Sequence, residues 1–211
     1  MARWVALVLV LSSSVVTAQE GPSGQDWSVV GPKTVAENRN ALEGSLGWPG
    51  LTAGYLRGVA PRVNLGVRAG FVYGVEGVVS AVAPGLKLQF LGKLLLLDQG
   101  RISLGVTFEP GPVFYGGVGG FAGFTLPVGL RLGIAASSAL QLAVLVEVPL
   151  WISFGFASSF NLPILTGIGV EYFVQSDLLV FARVRMGPTV LFRAGVADFS
   201  LDTAVGVGWR F

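Results

Sequence analysis

The side chains in this 211-residue chain that could do chemistry are sparse, charged and set among apolar neighbours. Arg68, Lys87, Lys93, Arg101, Arg131, Arg183, Arg185 and Arg210 stand against Glu43, Glu109, Glu147, Glu171 and Asp202. Carboxylates in pairs can act as general acid and base, but these acids come from separate segments with bases available to each, so ion pairing is the expected state. The chain has no His, which removes the usual general base, the commonest transition-metal ligand and the Ser-His pairing. It has no Cys either, so a disulfide framework and thiolate metal sites are excluded. "YGGVGGFAGF" at 115–124 has the glycines of a phosphate loop, but no Lys-Ser or Lys-Thr follows. No catalytic, cofactor or metal site is expected. The near balance of 14 basic and 12 acidic residues gives no support to nucleic-acid binding.

The charges must be positioned by strands. In "RVNLGVRAGFVYG", Val63, Leu65, Val67, Ala69, Phe71 and Tyr73 fall on one face, and Arg62, Asn64, Gly66, Arg68 and Gly70 on the other. The same period of two runs through Ile102–Phe108, Ala122–Ile134, Leu140–Leu150, Ile164–Tyr172 and Leu178–Met186. Transmembrane helices fit poorly despite a mean hydropathy of +0.69. Leu132–Val146 is too short for a helical span, and Val148–Val170 carries Pro149, Asn161 and Pro163. Runs of about ten residues match a tilted strand crossing a bilayer and exceed the usual globular strand. The second face combines Gly with isolated charges of both signs, which describes a tight polar lumen better than a solvated surface. Open sheet edges are not tolerated in lipid, so the sheet must close.

The predicted fold is therefore all-β, a closed antiparallel transmembrane barrel. Tight turns are expected at "VAPR", "LDQGR", "ASSA" and "VQSDL", and longer loops near 76–85, 110–120, 153–163 and 187–199. Ten strands follow if "GWPG" at 47–50 joins two of them, or eight with an irregular start, because the two faces of Leu51–Val59 do not separate. Residues 1–18 read as a signal peptide, with Arg3, an apolar run and small residues ending at Ala18. Residues 19–38, rich in Gly, Pro and polar side chains, form a periplasmic or lumen-entering segment, and 39–211 form the barrel.

At the C-terminus, Thr203, Val205, Val207, Trp209 and Phe211 alternate with Asp202, Ala204, Gly206, Gly208 and Arg210. This ending resembles the insertion signal of bacterial outer-membrane barrels. The whole pattern resembles the small-barrel superfamily that includes outer membrane proteins A and W. The resemblance implies a bacterial outer-membrane location, lipid as the surrounding partner and the barrel-assembly machinery as a transient one. Outer-membrane phospholipases, lipid A deacylases, palmitoyl transferases and omptin-type proteases share such a fold, but their catalytic arrangements depend on a His that this chain lacks.

Three functional readings remain: a structural or surface-interaction barrel whose lumen is plugged by paired charges, a narrow conduit with mild anion preference, and a soluble lipocalin-like binding barrel. The conduit rests on eight inward bases against five acids. Which acid meets which base depends on barrel stagger, with Glu147 or Glu171 the expected partners of Arg131. Deleting Phe211, or replacing it with Asp, is expected to lower the yield of heat-modifiable folded barrel in outer membranes, measured by electrophoresis of unheated samples.

Overall fold

The computed structural model describes residues 25–75, 82–116, 120–154, 159–191 and 196–211. The expected signal peptide at 1–18 lies outside the described residues. The strands are β1 (Asn40–Trp48), β2 (Gly50–Ala60), β3 (Val63–Gly74), β4 (Val82–Gln99), β5 (Ile102–Phe108), β6 (Gly111–Tyr115), β7 (Phe121–Ala135), β8 (Leu140–Phe154), β9 (Ser159–Pro163), β10 (Leu165–Phe173), β11 (Leu178–Leu191) and β12 (Val196–Arg210). Two pairs of these segments are single staves with a local break. β5 and β6 both lie between β4 and β7, and their register against β7 is continuous across the break at Glu109 and Pro110. β9 and β10 both lie between β8 and β11, broken at Ile164. Pro110 and Pro163 lack the N–H that the ladder would use, which accounts for an interruption beside each. The twelve segments thus build ten staves.

Every stave pairs antiparallel with its neighbour in sequence, and β12 returns to pair with β1 from Ala41↔Arg210 to Trp48↔Thr203. The seam ends on two reciprocal bonds of 2.9 Å, from Asn40 N–H to the Phe211 carbonyl and from Phe211 N–H to the Asn40 carbonyl. The eight-residue seam joins the first and last staves and closes the sheet into a ring. Stepping across it from Asn40 through Arg57, Leu65, Gly92, Phe108 and Val128, and onward by the later registers, the circuit returns displaced by about twelve residues, a stagger that tilts the staves by about 40°.

The four predicted tight turns all lie at one end, here called the turn end, with both Asn40 and Phe211. At the opposite, loop end, Pro49 alone joins β1 to β2. The connections at the loop end are shorter than predicted. β6 runs to Tyr115, β8 to Phe154 and β11 to Leu191, because each stave is hydrogen-bonded on both sides and stays extended as far as its longer neighbours.

The alternation in the sequence becomes an inside-out distribution of polarity. Val67, Leu130, Val144 and Ile168 are exposed on the outside, while Asn64, Thr125, Gln141 and Glu171 are almost completely buried inside. β2, whose faces were ambiguous, turns Gly54, Leu56 and Gly58 inward and Leu51, Ala53, Arg57 and Val59 outward. Its inner face is small and apolar where it covers Val35 and Ala36, so polarity gave no signal there. Single cysteines placed from Val63 to Tyr73 are expected to react alternately with a lipid-soluble maleimide, strongly at 65, 67, 69 and 71 and weakly at 64, 66, 68 and 70. Leu130→Arg is expected to destabilise the folded barrel by about 2 to 4 kcal/mol in lipid, measured by urea unfolding.

Candidate functional site

The lumen is filled in layers. Nearest the turn end, residues 27–35 run inside the barrel, with Trp27, Val30 and Val35 inaccessible to solvent. These residues belong to no stave of the sheet, so their backbone polar groups must be satisfied by lumen side chains. The Glu171 carboxylate, fully buried on β10, accepts bonds from Ser28 Oγ (2.5 Å), the Val29 and Val30 N–H groups (2.7 Å each) and Gln141 Nε2 (3.2 Å). The carbonyls of the same segment face cations. Lys93 Nζ donates to the carbonyls of Ser28 (2.8 Å), Gly31 (3.1 Å) and Val29 (3.3 Å), and the Arg131 guanidinium to those of Val30 (3.0 Å) and Val29 (3.2 Å).

Further along the segment, Asn64 exchanges two bonds with Val35, donating to its carbonyl and accepting from its N–H. At the rim, Trp27 Nε1 donates to the Ser176 carbonyl at 3.1 Å, its indole meets Phe173 edge-on, and Arg210 lies over its face while pairing with Asp26 at 2.6 Å. Glycines on the staves make room for this packing. A Cβ at Gly169 would approach Val30 Cγ1 to 2.5 Å, and one at Gly133 would approach Pro32 Cδ to 2.8 Å.

Above the plug lies a layer of ion pairs in two groups. In the first, Arg68 bridges Glu43 (2.6 Å) and Glu109 (2.5 Å), and Glu109 also meets Arg131 (3.0 Å). In the second, Arg185 spans Glu147 and Asp202, the latter through contacts of 3.0 and 3.1 Å, and Arg183 approaches Asp202 at 3.4 Å. Toward the loop end, Tyr115, Phe121 and Trp151 form an aromatic cluster against Val72, Val75 and Val113.

The candidate lumen residues Arg68, Lys93, Glu109, Arg131, Glu147, Glu171, Arg183, Arg185 and Asp202 therefore meet within these two layers, and Glu43 joins them. Lys87 is half-buried and lies on the loop-end side of the ion-pair layer. Arg210 belongs to the rim. Arg101 does not reach the lumen: it is exposed in the turn between β4 and β5, because inward parity places a side chain inside only while the stave continues. Arg131 pairs with Glu109 on the adjacent stave, not with Glu147 or Glu171, whose bonds go to Arg185 and to the plug. Asn64 and Gln141, which hold the plug system together, are neutral, so charge does not single them out, although their parity in the sequence places them inside. Of the C-terminal alternation, Val205, Val207, Trp209 and Phe211 are exposed outside, with the last two rings 4.9 Å apart, and Thr203 Oγ1 accepts from the Trp48 N–H at 3.1 Å. Among the described residues, no group of acids has the spacing of a metal site.

No protein-family model matches the chain, and no curated protein matches it. Among solved structures it is similar to the outer membrane protease OmpT from Escherichia coli, with 9% identity, a TM-score of 0.54 and coverage of 84% of this chain and 98% of that one. At that identity the likeness is one of fold: a closed antiparallel β-barrel of the kind built by an outer-membrane protein.

Replacing Glu171 with Ala leaves the Val29 and Val30 N–H groups without their acceptor, each at a cost of about 1 to 3 kcal/mol. The variant barrel is expected to unfold at lower urea and to become open to proteolysis between residues 25 and 38, read by mass spectrometry of the folded fraction.

Proposed function

We propose that this chain is an integral barrel of the bacterial outer membrane with no catalytic activity and a lumen closed at the turn end, acting as a structural or surface-interaction protein. The observation that carries this reading is the capture of residues 28–30 between Glu171 on one side and Lys93 with Arg131 on the other. Donors and acceptors of the segment are matched by fixed lumen charges, so displacing it would leave a buried carboxylate and two buried cations short of partners, at about 1.5 to 3 kcal/mol for each hydrogen bond lost to a charged group.

The outward band of Leu, Val, Ile and Phe supports lipid as the surrounding medium and disfavours a soluble lipocalin-like barrel, which would bury that face. Aromatic residues at both ends of the staves, Tyr172, Trp209 and Phe211 at the turn end and Phe114, Phe154 and Phe199 toward the loop end, fit the two interfacial girdles of such proteins. The resemblance of the C-terminal alternation to an insertion signal supports the barrel-assembly machinery as a transient partner.

In planar bilayers the wild type is expected to be silent. Arg131→Ala, which removes a partner from both Glu109 and the plug carbonyls, is expected to conduct in brief openings. An anion-preferring current through the wild type, weakened by Arg131→Ala or Arg183→Ala without loss of stability, would overturn the closed reading in favour of a conduit.

A further inference from the structure

On the loop-end side of the ion-pair layer lies a chamber whose space, counted together with its opening to solvent, is about 890 Å³. It lies across that layer from the plug and does not depend on whether the plug seals the barrel. Its floor is unevenly charged. Asp202 gives both carboxylate oxygens to Arg185, whose remaining side is taken by Glu147. Arg183 reaches the same carboxylate only at 3.4 Å, and its buried Nε makes no hydrogen bond. Lys87, on the wall above, also acts electrostatically on Asp202. Four cations, Arg68, Lys87, Arg183 and Arg185, thus line the chamber with three carboxylates, Glu109, Glu147 and Asp202, and Arg183 is the guanidinium whose donors are least engaged. A guanidinium with unspent donors in a largely buried site is a receptor for a carboxylate or phosphate.

The wall has a different character. Trp48, Trp151, Val72 and Leu165 line it with four prolines, which contribute flat apolar surface and no N–H donors. Trp151 is held in place by ring contacts to Tyr115 and Phe121, and its own Nε1 is buried without an acceptor. A bare inorganic anion would use the floor and leave this wall unmatched. We infer that the chamber binds a small organic carboxylate carrying a flat apolar body, with its charge on Arg183 and its body against Trp151 and the prolines.

The test uses the full folded barrel in detergent and isothermal titration with 1-naphthoate, with the uncharged 1-naphthamide as its match. Naphthoate is expected to bind at one saturable site and to quench tryptophan fluorescence, while naphthamide and acetate bind at least about tenfold more weakly. Arg183→Gln is expected to weaken naphthoate about tenfold, and Arg183→Lys by less. Lys87→Met, which leaves the Arg185 bonds to Asp202 and Glu147 intact, serves as a second variant and is expected to weaken it several-fold. Equal binding of naphthoate and naphthamide, or unchanged naphthoate binding in a folded Arg183→Gln or Lys87→Met barrel, would refute the site. Acetate or inorganic phosphate binding as tightly as naphthoate would refute the role of the apolar wall.

Discussion

The closure of β12 onto β1 is the constraint on which the rest of this structure depends. Once Asn40 and Phe211 exchange their backbone bonds, every stave has two neighbours, and along the paired lengths the backbone is satisfied without help from solvent. The outside is then free to be apolar over its whole circumference. Closure also sets the stagger, and the stagger sets the tilt and bore. A bore of this size is narrow enough for long side chains to meet across it, and the small residues that line much of the inner face do not fill it alone. The interior must therefore be completed by something else.

Two devices complete it. The layer of arginines and carboxylates crosses the lumen at mid-height with contacts between staves that are not neighbours in the sheet, as when Arg185 on β11 meets Glu147 on β8. Below it, the segment at 27–35 supplies the missing volume, and its backbone becomes the partner for charges that the ion-pair layer does not use. Glu171 and Lys93 are the clearest cases, since their hydrogen bonds in the lumen go chiefly to that segment. Buried charge and buried backbone thus satisfy each other, and removing either side would leave the other exposed to a large desolvation cost. Where neither device reaches, toward the loop end, the lumen remains a chamber with a cationic floor and a ring-bearing wall.

Much of this was legible in the residues. A period of two, carried over runs of about ten residues with Gly and single charges on one face, determined most of the strands, which of their side chains face inward and the need for a closed ring. Turn chemistry determined the four tight connections, and the apolar content of the outward face determined which medium it suits. These are local properties: each follows from a residue and its neighbours two positions away. The same parity rule failed at Arg101 because a stave ends before that residue, and boundaries depend on pairing with neighbours that lie far away in sequence.

What only the tertiary structure decided is who meets whom across the lumen. Opposite charges seen in sequence do not reveal their partners, because the pairing of Arg131 with Glu109, and of Arg185 with both Glu147 and Asp202, follows from a stagger that accumulates around the entire ring. The capture of Ser28, Val29 and Val30 was equally hidden. Apart from the Ser28 hydroxyl, it is made through backbone N–H and carbonyl groups, which every residue carries, so side-chain identity in that segment holds little record of it. The asymmetry at Asp202 likewise exists only once Arg183 and Arg185 of β11 and Lys87 of β4 come to face the carboxylate that β12 carries.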